Sequence, residues 1–494
     1  MAKAPLRYWF LTPPKTFDTY QADMFDVMQV TKNIYAPLVS TFIDGTPQGM
    51  LAEDWQVDAS GKVWRFRIRK DLKFDDGTPI TADSVLANFR RILWLTKDDS
   101  LALNSLLPGV KERKKYEDPI AGLKVDGDSL VFEFNRRPGH LFELVEQPIY
   151  GIANPKCFGA DGQWKEPFCA AASGAYRVKS ISPEKVVLQS RHAYPSVADA
   201  PETVEIHSLA MNDNFVNTLS NGRGDIALTP RFAISRETIA EMQERGIKLL
   251  EAPPTEIYFV ELNAKRPPFD NKLLRQSVRD SFHDLLRRNP EFSREITLDS
   301  SFIPRGGIGY RSFAPSATAR AGLKHRVPAE VLLFPIARYP TPRDRKIQDA
   351  LESSLLESLR QKGVDPHVTR YADRSPAIQR LVDGDFDVIV RSTGLLVDDP
   401  YADLRMMFMS QVGALIPDPS GTVPALLEKA DANNDPEERR TLVERINTSV
   451  YNEASIITFA HSGLVYLHNA AVDLARVNLF TDPIEFRAIG WKPK

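Results

Sequence analysis

The chain has 494 residues, too many for one core, and domains of roughly 100–200 residues imply two to four folded units. Its 63 Lys and Arg against 65 Asp and Glu leave a net charge of −2 with no long run of one sign, which argues against a nucleic-acid partner. No apolar stretch reaches the roughly eighteen residues that a membrane-spanning helix needs.

Taken in order, residues 6–11 (LRYWFL) read as a short buried strand that ends at Pro13-Pro14, and residues 22–35 as a helix leading into Pro37-Leu38-Val39. The most patterned stretch runs from Gly49 to Arg91. Within it Trp64, Phe66 and Ile68 alternate with Arg65, Arg67 and Arg69, the period of two that gives a strand one buried and one wet face. Ala59-Ser60-Gly61 before it predicts a hairpin turn, and Asp75-Asp76-Gly77 with Pro79 a second turn. Thr81 is placed to cap a helix with Asp83 near the positive end of its dipole. Val85, Leu86, Phe89, Ile92 and Leu93 would form that helix's apolar face.

Leu51-Ala52-Glu53, Trp55, Arg69, Phe74, Asp76-Gly77, Pro79, Thr81-Ala82 and Asp83 fall in the order of a signature that resembles the peptide-, nickel- and opine-type extracytoplasmic solute-binding proteins (family 5), the binding components of ABC importers. The resemblance continues along the chain. Ser173-Gly174-Ala175-Tyr176 is similar to the family's turn into a strand, with Ser173 and Ala175 in place of its usual Thr and Pro. The Asp225-Ile226-Ala227 segment matches as well, so the Arg223-Gly224-Asp225 triplet reads as coincidence. Asn263 to Arg275 follows the family's proline-rich entry into a helix marked by Leu273, Val278 and Phe282.

The resemblance implies an α/β fold of two lobes, periplasmic-binding-protein-like and of the class II dipeptide-binder type, with an added small domain. The expected boundaries are lobe I at 1–39, 166–257 and 465–494, the inserted domain at 40–165, and lobe II at 258–464. In the inserted domain Leu130, Phe132 and Phe134 predict a second hairpin strand and residues 141–147 a helix. In lobe II, strands are expected near 331–336, 365–371 and 386–390 and helices over 344–362 and 436–452, with a further helix between the last two strands. A hinge falls near 255–265, where relatives cross between lobes.

No enzyme motif is present: there is no HExxH, GxSxG or Walker loop. Gly306-Gly307-Ile308-Gly309-Tyr310 reads as a surface turn, and His461 and His468 as satisfied strand histidines without a third metal ligand. The chain is therefore expected to be no enzyme and to need no cofactor or metal. Phe334 to Pro342 is similar to a dipeptide-binder segment whose Arg grips the ligand's carboxylate, which puts Arg338 in that role. The loop that should hold a ligand amine, Thr393-Gly394-Leu395-Leu396-Val397-Asp398-Asp399-Pro400-Tyr401, has Leu396 at the position of the family's Asp and lacks its Trp. Asp398 or Asp399 could take over, and Arg391 would add positive charge if it faced the ligand. Arg338, Arg391, Thr393, Gly394, Asp398, Asp399 and Tyr401 are the expected ligand residues.

The function so implied is capture of a peptide-like or other small solute between the lobes and its delivery to a membrane permease, by a monomer with no nucleic-acid role. The alternatives are a non-peptide acidic ligand of opine, sugar-phosphate or metallophore type, or a regulatory binding module on the same scaffold. The first eighteen residues do not form a signal peptide. The resemblance therefore implies that the native signal has been removed and that the mature protein is periplasmic or lipid-anchored. Cys157 and Cys169 are the only cysteines. In such an oxidising compartment a bridge between them is expected, with two separate thiols as the alternative.

Overall fold

The computed structural model describes the chain except residues 1–3, 11–13, 22–24, 42–45, 98–101, 139–140, 209–214, 232–233, 295, 315–320, 335–341, 372–379, 382, 395–399, 410–415, 417, 432–434, 480–482 and 493–494. It divides into two compact units: unit 1 is Met1–Thr229, Glu241–Leu250 and Tyr466–Lys494, and unit 2 is Pro230–Ala240 and Glu251–Val465. Both are mixed helix and sheet.

Most of unit 1 is built on a seven-stranded sheet in the order Lys248–Glu251, Leu464–His468, Ile226–Pro230, Leu6–Phe10, Thr203–Ser208, Lys185–Ser190 and Tyr176–Ile181, whose strand-end residues Pro230, Glu251, Leu464 and Val465 are counted in unit 2. Leu6–Phe10 runs parallel to both neighbours. It is not buried throughout: Leu6, Tyr8 and Phe10 point into the core while Arg7 and Trp9 stay partly exposed. That half-open face carries a purpose, because the Arg7 guanidinium donates from Nε and Nη2 to the Asp225 carboxylate at 3.0 Å each. Asn469 donates to the same carboxylate at 2.9 Å. Asp225, the acid of the Arg-Gly-Asp triplet, is thus buried and already occupied.

The signature stretch forms a second sheet in the order Ala52–Val57, Val63–Ile68, Ser129–Glu133 and Leu123–Asp126. Asp58 closes its first turn by accepting from the backbone N–H groups of Lys62 and Val63, both at 2.9 Å. The helix Ala82–Leu95 starts with a reciprocal cap, in which Thr81 Oγ1 accepts from Ser84 N at 3.3 Å and Ser84 Oγ accepts from Thr81 N at 2.9 Å. Its apolar face packs Phe89 edge-on to Phe132 at 5.3 Å and against Tyr150. Gly77 takes φ +87°, which explains why Asp75-Asp76-Gly77 needs a glycine at that place. Cys157 and Cys169 are bridged. Between them Gly162 O accepts from Arg91 Nε at 2.6 Å, while Arg91 makes a buried pair with Asp18 at 2.8 Å.

Unit 2 holds a five-stranded sheet in the order Val364–Arg370, Val327–Leu333, Val388–Gly394, Glu256–Leu262 and Ile456–Ser462. The helices Lys272–Arg288 and Pro342–Gln361 cover one face, packing on Tyr258, Val260 and Leu262. Tyr401–Met409, Thr422–Asp431 and Pro436–Glu453 cover the other, packing on Ile257 and Phe259. Both faces of Glu256–Leu262 are therefore buried, which is why alternating residue types there do not mean a wet side. The first helix corrects the sequence reading by one residue: Leu273 is 61% exposed and Leu274 enters the core. The helix expected between the strands Val364–Arg370 and Val388–Gly394 lies largely outside the described residues.

Candidate ligand-binding site

Within unit 2 a cavity of about 300 Å³ is lined by Arg231, Glu251, Thr297, Asp299, Arg305 and His461, among others. Each is placed by backbone. The N–H of Arg231 donates to Gly463 O at 3.0 Å and that of Ala252 to Leu464 O at 2.9 Å, so two turning segments lie beside the end of the Ile456–Ser462 strand. His461 is on that strand, and its Nε2 is 2.9 Å from Ser301 O, so this nitrogen carries the proton and donates. Its Nδ1 faces Asp299 Oδ2 at 3.8 Å. Burial holds the imidazole below its ordinary pKa, with Asp299 opposing that shift. Asp299 is fixed in turn by Ser301 N at 3.0 Å and Tyr310 Oη at 3.2 Å. Arg231 Nε pairs with Glu251 at 3.3 Å, and Arg305 approaches Asp299 at 3.7 Å with most of its side chain in solvent.

The expected ligand residues divide into two groups. Arg338, Asp398 and Asp399, together with Leu396, lie outside the described residues. Thr393 and Gly394 end the Val388–Gly394 strand opposite Ile257 and Glu256, and Gly394 is open, with nothing near the place of a Cβ. Arg391 pairs with Glu261 at 2.8 Å and lies over the Phe259 ring at 5.1 Å. Its charge is matched by a carboxylate that is itself buried and held above the usual carboxylate range by desolvation. Tyr401 sits in the core of unit 2, its hydroxyl donating to Leu427 O at 3.2 Å.

The sequence reading did not use Glu261, Asp299 or Arg231. An acid inside the apolar run Tyr258-Phe259-Val260-Glu261-Leu262 was the available signal for the first. The glycine-rich segment is a turn, as expected, tied down by Asn447 Nδ2 donating to Gly309 O at 3.0 Å. Among the described residues no group of three or more His, Cys, Asp or Glu is arranged to hold a metal ion.

Residues 46–279 match the family model described as bacterial extracellular solute-binding proteins, family 5 Middle. That span is just under half of the chain and marks it as similar to that family. The chain is 24% identical over 484 residues to the probable D,D-dipeptide-binding periplasmic protein DdpA of Escherichia coli, covering 94% of this chain and 88% of DdpA. With the periplasmic oligopeptide-binding protein OppA of the same organism it shares 23% identity over 282 residues, spanning about half the length of each (54% and 50%). Among solved structures, NikA from Brucella suis in complex with Fe(III)-EDTA superposes with a TM-score of 0.78 at 18% identity, over 99% of this chain and 100% of that one. The murein tripeptide binding protein MppA of Escherichia coli gives 0.77 at 17% over 100% and 99%. The fold is that of the two-lobed family 5 binding proteins. Among the described residues no helix is long and apolar enough to cross a membrane.

Proposed function

We propose that this chain is a family 5 solute-binding protein that captures a small or peptide-like solute outside the cytoplasm, in the periplasm or on a lipid anchor, and passes it as a monomer to the permease of an ABC importer. The observation that carries the reading is the family match over residues 46–279, which includes the whole turn, strand and capped-helix signature. Relatives named for oligopeptides and D,D-dipeptides support the solute class. No covalent step is needed. Within unit 1 we take residues 40–165 as an inserted small domain, supported by the separate four-stranded sheet there.

For the solute we assign Arg338 as the carboxylate anchor, either Asp398 or Asp399 as the substitute for the missing amine anchor, and Thr393 and Gly394 as further ligand residues. Arg391 and Tyr401 then act as positioning residues, since both side chains are engaged within unit 2. A second reading, a non-peptide acid as ligand, is favoured by Leu396, which stands where peptide-binding relatives hold the amine. A structure of the same fold, AgaA, is described in complex with agropinic acid.

Calorimetry on matched free and N-acetylated oligopeptides, beside opines and sugar phosphates, separates the two readings. A charge-assisted contact is worth ~1.5–3 kcal/mol, so Arg338→Ala should weaken binding about tenfold or more in either case. Binding of none of these compounds would overturn the proposal.

A further inference from the structure

The cavity of unit 2 has a polarity that the solute-binding reading does not use. In its neutral form His461 commits Nε2–H to Ser301 O and leaves Nδ1 as an acceptor, and 3.8 Å away Asp299 Oδ2, which already accepts from Tyr310 Oη at 3.2 Å, has a further lone pair facing it. Two acceptors facing one another in a cavity call for a group that donates to both, and an ammonium does so from one atom. The charged groups lining the same space are Arg231, Glu251, Asp299 and Arg305, two cations and two anions. A lining with no net charge disfavours a plain anion or a plain cation and suits a molecule carrying both signs. A carboxylate would be met by Arg305, which is mostly in solvent 3.7 Å from Asp299, and by Arg231, which it would share with Glu251 and Ile234 O. The volume of about 300 Å³ lies at the small end of ligand pockets, which run to roughly 1,000 Å³.

We propose that this cavity is a binding site for a small zwitterion of amino-acid size, its ammonium held by Asp299 and His461 and its carboxylate by Arg231 and Arg305. All five charged or titratable groups belong to unit 2, so the site stands whether or not the chain serves a permease.

Calorimetry on the full chain with glycine, L-alanine and L-serine tests it against the half-ligands N-acetylglycine and ethylamine. The zwitterions should bind at least about tenfold more tightly than either half-ligand, the effect of losing one charge-assisted contact. Asp299→Asn should weaken zwitterion binding by about tenfold or more. Arg305→Ala, a change at a largely exposed side chain that leaves the fold intact, should weaken it severalfold and serves if Asp299→Asn does not fold. Binding of peptides or opines that survives Asp299→Asn while zwitterion binding is lost would separate this site from that of the transported solute. Zwitterions binding no better than half-ligands, or both variants keeping full affinity, would overturn the proposal.

Discussion

Removing Arg391 tests the packing of unit 2 at its most exposed weakness, a buried charge with a single strong cation beside it. Glu261 has a side chain 1% exposed, and its pair with Arg391 at 2.8 Å is what makes a carboxylate tolerable on the central strand. Arg391→Ala leaves that charge buried, which typically costs ~3–5 kcal/mol. For a unit of this size each kcal/mol shifts the melting temperature by roughly 2–4 °C, so the unit 2 transition should fall by about 10 °C in calorimetry. Glu261→Leu combined with Arg391→Met removes both charges and should return to within about 1 kcal/mol of the wild type. The pH dependence has a definite sign. Burial already raises the Glu261 carboxyl, and loss of Arg391 raises it further. A carboxyl raised above its unfolded value contributes stability that is lost as pH rises, so the Arg391→Ala deficit should be larger at pH 8 than at pH 5. An Arg391→Ala variant within about 1 kcal/mol of the wild type at both pH values would refute the reasoning.

Three further outcomes follow from particular residues. Thr81→Ala removes the reciprocal cap and should cost ~1 kcal/mol by urea titration, with Thr81→Ser near neutral. Cys157→Ser with Cys169→Ser opens a loop of sequence separation 12 and should cost ~3 kcal/mol in the chain-entropy model, while intact mass before and after reduction and alkylation should report one bridge. His283 is buried with Nε2 against Thr458 O at 2.8 Å, and burial lowers its pKa to about 3. The unfolded chain therefore takes up its proton first, and wild-type stability should fall as pH drops from about 6.5 toward about 3. Replacement by Gln should flatten that part of the profile.

Local rules made much of the architecture readable before any coordinates. The turn at Asp75-Asp76-Gly77, the cap at Thr81 and the faces of Val63–Ile68 and Ala82–Leu95 depend on neighbours within a few residues, and the structure shows them as read. What was not legible depends on distant partners. Whether Glu261 faces water is settled by helices 140 or more positions further on that cover its strand, and Leu273 and Leu274 cannot be told apart until the helix has something to lie against. The Asp299–His461 pair joins residues from a loop and a strand far apart in the chain, each unremarkable alone. For the ligand anchors, the family pattern pointed to Arg338 and to the position of Leu396, with Asp398 or Asp399 as the acids that could take over, and all of these lie outside the described residues.

The central claim is that this chain binds a solute, and recovering that solute tests it most directly. The protein would be purified from an extracytoplasmic fraction and denatured, the released small molecules identified by mass spectrometry, and the refolded, stripped chain titrated with what was released. The account predicts a peptide-like or acidic compound that rebinds, and that at a hundred times its dissociation constant stabilises the fold by ~2.7 kcal/mol. A stripped chain that binds neither the released material nor any of the peptides and acids named above would contradict it.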